Sequence, residues 1–213
     1  MNRLPDWRAV AYDRRGYAGS SSLGPPESFE DQVSDLLGVL DDNPTLVFGH
    51  SYGGDVVLAA AARSPELITS AMVWEPPQPW LPWWPGMSAR GGEADELDPE
   101  DRAEWFMRRM VGDRVWERLP ESTRKQRRRE GPTFLAELEA LRSAPPFLAE
   151  EVRVPVLVGR GGQSVPHHRR SARELASSLP NGELCEIAGA SHGAHLSHPG
   201  ELADLIRRAG ERG

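Results

Sequence analysis

The chain has 213 residues, 38% of them hydrophobic and 27% charged, and a formal net charge of −7, enough for one large α/β domain or one domain carrying an insert. The acidic balance argues against nucleic acid as a partner, and no apolar run reaches the length of a membrane span. A single cysteine excludes an intrachain disulfide framework, and without an apolar signal core among the first residues the expectation is a cytoplasmic protein.

Trp7 to Tyr12 (WRAVAY) predicts a short strand, followed by the loop Asp13 to Ser20. Ser28 and Asp31 have the spacing of a capping box, ahead of a helix whose apolar residues Phe29, Val33, Leu36, Leu37 and Leu40 recur at helical intervals. Thr45 to Phe48 reads as a buried strand and Asp55 to Arg63 as a helix, with Gly49-His50-Ser51-Tyr52-Gly53-Gly54 between them. A further strand is expected at Thr69 to Trp74. This alternation implies parallel βαβ units with helices on both faces of one sheet.

The rhythm stops at Glu75. The proline-rich run Pro76 to Pro85 can be neither strand nor helix, and residues 76–146 read as a helical insert with helices near Pro99 to Met110 and Thr133 to Arg142. The basic stretch Arg124 to Arg129 within it is expected to be a solvated helix face. After Pro146 come a strand at Val154 to Val158, a helix near Ser171 to Ser178, and a strand at Glu183 to Ile187 that holds Cys185 as a small buried hydrophobe. A last helix spans Pro199 to Arg208, with proline at its start and Gly210 just past its end. The core is thus assigned to residues 1–75 and 147–213, and the insert to 76–146.

The strand–Gly-x-Ser-x-Gly–helix unit has the form of a nucleophile elbow. It holds the Ser51 backbone in a strained turn, and side chains at the flanking positions 49 and 53 would collide with the neighbouring strand and helix. The helix that follows points N–H groups at the place where an oxyanion would form.

Taken together, the chain resembles an α/β-hydrolase. Five features carry the resemblance in order: YDRRGYAGS (Tyr12 to Ser20), GHSYGG (Gly49 to Gly54), WEPP (Trp74 to Pro77), VPVLVG (Val154 to Gly159) and GASHGAH (Gly189 to His195). Within that superfamily it looks closest to small, cofactor-free esterase and peroxidase-like serine hydrolases. The resemblance implies an α/β fold with a mostly parallel sheet flanked by helices, a helical lid insert and no cofactor. The family's usual first three strands have no counterpart ahead of Trp7, so the core is expected to be N-terminally incomplete, and the oxyanion donor from the loop after the third strand is missing with them. The backbone N–H of Tyr52 is the donor that remains.

In the family's chain order of serine, acid and histidine, His192 is the base. It would take the Ser51 proton and return it to the leaving group. His195 and His198 follow at three-residue intervals, but without a cysteine or a carboxylate pair nearby no metal site is expected. The usual acid position lies after the strand at Val154 to Val158, where Gly159 to Pro166 has no carboxylate and Gln163 or Gly162 stands in place of an aspartate. Some members take the acid from the end of the preceding strand, where this chain has Glu75. Glu75 is then the triad acid, or else it caps or pairs with an arginine of the insert and leaves a dyad. Trp80, Trp83 and Trp84 follow shortly after, either lining a substrate site for an acyl or aromatic group or forming the small core between insert and sheet.

Two functional readings result. One is hydrolysis of a small ester, thioester or lactone by Ser51, His192 and Glu75. The other is a degenerate, non-catalytic relative that binds a ligand or partner through the old pocket. The sequence does not set the oligomeric state.

Overall fold

In the computed structural model, which describes residues 3–85 and 96–213, four strands form one parallel sheet in the order β1-β2-β3-β4. They are β1 (Thr45–His50), β2 (Ile68–Trp74), β3 (Val156–Gly161) and β4 (Gly182–Ile187). The β1–β2 register pairs His50 with Trp74, so these two strands end level, while β2–β3 pairs Trp74 with Gly159 and β3 runs on to Gly161. Ala71 to Trp74 and Val156 to Val158 are buried throughout, as central parallel strands covered on both faces require.

Successive side chains of a strand point to opposite faces. On one face of β2, Met72 and Trp74 join Leu157, Cys185 and Ile187 in a cluster with Leu202 and Ala209 of helix α9 (Pro199–Gly210). On the other, Val73 lies against Gly54 of helix α2 (Tyr52–Arg63), the crossover from β1 to β2. Helix α7 (Pro166–Ser178) connects β3 to β4 and opens with a proline in its first turn, which suits a position whose N–H has no partner within the helix. It begins five residues before the expected start at Ser171.

The clearest departure from the sequence reading is Trp7 to Tyr12, which has no strand assignment. A strand exists only through hydrogen bonds to a neighbour, and none of the four strands pairs with this segment. Its Trp7 ring instead lies against Gly210 at the end of α9.

Two compact units divide the chain. The sheet unit comprises Met1–Ala11, Val33–Gln78 and Pro145–Gly213, and the second comprises Tyr12–Gln32 and Pro79–Ala144. The sequence reading kept residues 12–32 with the core. Their placement in the second unit has a physical cause in Glu137, which is 3% exposed and gathers Arg14, the Tyr17 hydroxyl (2.7 Å) and the Gln32 amide (3.0 Å). Burial raises the Glu137 pKa and the Arg14 guanidinium opposes it.

The second unit is helical: α3 (Pro99–Val111), α4 (Asp113–Arg118), α5 (Glu121–Arg129) and α6 (Gly131–Ser143). Asp98 caps α3 by accepting from the Asp101 N–H at 2.9 Å. The basic stretch lies in α5, and four of its five cations have acidic partners among the described residues: Arg124 with Glu117, Lys125 with Glu121, Arg127 with Glu130, and Arg128 with Asp101 and Glu104. Helix α1 (Phe29–Leu40) starts as the capping box predicts, with the Asp31 carboxylate accepting from the Ser28 N–H at 3.1 Å. Among the described residues no helix is long and apolar enough to cross a membrane.

Candidate active site

Ser51 follows the last residue of β1 and precedes the first of α2, with φ 53° and ψ −129°. Its N–H donates to the Trp74 carbonyl at 2.8 Å, tying the turn to the end of β2. A Cβ on Gly49 would stand 2.4 Å from the Gly53 carbonyl oxygen, so only glycine fits there. At Gly53 nothing lies within 4 Å, which corrects the expected collision at that position. The second close approach falls one residue later, at Gly54, where a Cβ would meet Pro76 at 3.1 Å. Tyr52 is the first residue of α2, and its N–H is one of those a helix leaves without an intrahelical acceptor.

Glu75 stands directly after β2, fully buried, with φ 47°. One carboxylate oxygen accepts from the Gly161 N–H at 2.8 Å, and the other lies 2.9 Å from His192 Nδ1. The Ser164 hydroxyl faces the same carboxylate without a well-aligned hydrogen bond. Burial alone would raise the Glu75 pKa, but His192, Ser164 and the Gly161 N–H together outweigh it and hold the group below its ordinary value. Glu75 thus meets His192. Gln163, at the usual acid position, is exposed and engages through its backbone N–H to the Ala190 carbonyl.

His192 lies in the loop between β4 and α8 (Ala194–Ser197), with its side chain 19% exposed. Its backbone carbonyl sits 2.9 Å from His50 Nε2 and accepts from the Trp74 indole N–H at 3.2 Å. The carbonyl can only accept, so His50 carries its proton on Nε2. Burial, reinforced by His192, lowers the His50 pKa to about 4 and keeps it neutral at pH 7. With Nδ1 engaged by Glu75, His192 is left with Nε2 as the nitrogen able to exchange a proton. No hydrogen bond joins Ser51 Oγ to His192 among the described residues; nucleophile–base pairs often tighten only in the Michaelis complex.

The sequence reading missed three groups around this pair. The His168 ring, in the first turn of α7, stacks on His192 at 4.6 Å and 30°. It is 8% exposed, and burial with the neighbouring His192 pushes its pKa down to about 3. His50 and Trp74 hold the His192 carbonyl. Their distance along the chain hides these contacts, although the doublet His167-His168 after Pro166 was visible as a helix-start signal carrying two imidazoles. Donor atoms of Glu75, His168 and His192 all lie within 4.8 Å of one another, whereas the expectation about metals had considered only the spacing of His192, His195 and His198.

Trp80, Trp83 and Trp84 belong to the second unit. Trp84 is 8% exposed and its ring lies 6.0 Å from that of Trp83; Trp80 and Trp83 are half-buried.

Known proteins resemble the chain in sequence and in fold. A pimeloyl-[acyl-carrier protein] methyl ester esterase of Aromatoleum aromaticum is 28% identical over 215 aligned positions, covering 90% of this chain and 82% of its own. Lipase LipV of Mycobacterium tuberculosis is 33% identical over 78 residues, a match covering 35% of this chain and 30% of the lipase. Among solved structures, a serine hydrolase of the polyaromatic-hydrocarbon-degrading Cycloclasticus zankles superposes with a TM-score of 0.69 at 20% identity, covering 91% of this chain and 75% of its own. Residues 2–205 match the profile of the family described as the alpha/beta hydrolase family, and with a match of that extent the chain belongs to this family of hydrolases.

Proposed function

We propose that the protein hydrolyses a small ester, thioester or lactone through Ser51, His192 and Glu75. The observation that carries this reading is the buried Glu75 carboxylate on His192 Nδ1 at 2.9 Å. It replaces the acid missing from the loop after β3 and supplies the charge that an imidazolium needs. Ser51 Oγ attacks the carbonyl carbon and its proton passes to His192 Nε2. The tetrahedral intermediate collapses, and the leaving alcohol or thiol takes that proton. Water, activated by the same nitrogen, then releases the acid and restores Ser51. The Tyr52 N–H, at the start of α2, is the proposed donor to the oxyanion. The methyl ester esterase among the relatives supports an ester over other carbonyl substrates.

A second reading, a binding protein without turnover, draws on the missing hydrogen bond between Ser51 and His192. Turnover of p-nitrophenyl acetate by the protein and by Ser51→Ala decides between them. The hydrolase reading requires activity that Ser51→Ala loses; equal rates in both proteins would favour the binding reading.

A further inference from the structure

Five of the six histidines form one chain of ring contacts: His167 to His168 at 4.7 Å, His168 to His192 at 4.6 Å, His192 to His50 at 4.6 Å, and His50 to His195 at 4.8 Å. A serine hydrolase needs one imidazole. The second one stacked on it, His168, lies within 4.8 Å of both His192 and a buried carboxylate when donor atoms are compared.

We propose that Glu75, His168 and His192 form a site for a first-row divalent cation of the zinc type, and that filling it switches the hydrolase off. Two imidazole nitrogens and one carboxylate oxygen are the donors that zinc, nickel and copper prefer over calcium or magnesium. A metal ligand must offer a lone pair, and a neutral imidazole has one on its unprotonated nitrogen. The donor set then carries one negative charge against the two positive charges of the ion. Glu75 is also braced as ligand carboxylates commonly are, with the Gly161 N–H on its other oxygen. The partial exposure of His192 leaves an approach for the ion.

Donors sharing a tetrahedral ion at ~2.1 Å lie about 3.4 Å apart, so the present spread of up to 4.8 Å closes with a side-chain movement on the order of 1 Å. In the resting pair His192 keeps its proton on Nδ1, facing Glu75. An ion that takes the Nδ1 lone pair sends that proton to Nε2, the nitrogen that the proposed mechanism uses to accept from Ser51. No proton is gained or lost overall, and the base is blocked. This inhibitory half rests on the hydrolase reading; the binding half does not.

The test is a titration of the whole chain with Zn²⁺ by calorimetry and with Co²⁺ by visible absorption, comparing the protein with His168→Phe, which keeps a ring stacked on His192. His168→Gln serves as a second variant should the phenylalanine disturb the fold, and His198→Gln controls for adventitious histidine binding. The expected result is one ion per chain with a four-coordinate Co²⁺ spectrum. Affinity should fall at least about tenfold in both His168 variants and stay unchanged in His198→Gln. Zn²⁺ should inhibit ester turnover, a chelator should restore it, and His168→Phe should need correspondingly more zinc. Equal affinity in the His168 variants, or loss only in His198→Gln, would overturn the site. Binding without inhibition would overturn the switch. Should the protein turn over no ester at all, the hydrolase reading and the inhibitory half fall together, and calorimetry still decides the site.

Discussion

Ser51 and Glu75 occupy equivalent places: each is the first residue beyond the paired strand ends His50 and Trp74, and each has a positive φ, 53° and 47°. Non-glycine residues rarely adopt that region, and where they do the surrounding structure must hold them there. Here two adjacent parallel strands are each followed by a positive-φ residue. One of the two carries a hydroxyl and the other a carboxylate, and the His192 carbonyl is held by the side chains of the two residues just before them.

Glu75→Gln keeps the shape of the side chain and can still hydrogen-bond His192, but it cannot stabilise the imidazolium. The expected outcome is a fall in kcat on the order of 10⁴ with KM little changed. Steady-state kinetics on p-nitrophenyl acetate measure this. A loss below tenfold would remove Glu75 from the triad.

The elbow glycines separate cleanly. Gly49→Ala puts a methyl group 2.4 Å from the Gly53 carbonyl oxygen, while Gly53→Ala meets nothing within 4 Å. Thermal unfolding should show Gly49→Ala destabilised by about 1–3 kcal/mol or more, and Gly53→Ala close to the parent. Equal effects would contradict the packing described around Ser51.

Much of this was legible beforehand. The strand–helix periodicity located β1, α2, β2 and α9, because each buries a continuous apolar face. Ser51 stands out in the Gly-x-Ser-x-Gly turn after a strand, whereas His192 and Glu75 are singled out only by the resemblance to α/β-hydrolases. Trp7 to Tyr12 misled because its residues favour a strand while a strand depends on a lateral partner that composition does not reveal. The movement of residues 12–32 into the second unit turned on the buried Glu137, more than 100 positions away along the chain. His168 was hidden for the same reason: only folding brings α7 against the loop after β4.

Asp55 in α2 is fully buried, and neither carboxylate oxygen has a hydrogen-bond partner among the described residues. Burial raises its pKa well above 3.8. The native chain therefore keeps this proton where the unfolded chain releases it, so stability falls as pH rises from about 3.8 toward the raised native value. Asp55→Asn has no such proton to lose. Urea unfolding at pH 5 and pH 7 should show the variant gaining on the parent as pH rises; a constant difference would indicate that Asp55 is ionised in the native state.

Cys185 sits in β4, 6% exposed, and burial pushes its thiol up to about 12. The native protein should resist iodoacetamide at pH 8 and react once unfolded in urea. Rapid labelling of the native chain would place Cys185 at the surface, contrary to its position in the cluster beneath α9.

The central claim is that Ser51 is an activated nucleophile whose base is oriented by Glu75. The most direct measurement is labelling with a fluorophosphonate probe, located by peptide mass spectrometry and timed in the protein, in Glu75→Gln and in Ser51→Ala. One adduct on Ser51 is predicted, formed far more slowly in Glu75→Gln and absent in Ser51→Ala. No adduct on Ser51, or one formed at the same rate without the Glu75 carboxylate, would contradict the account.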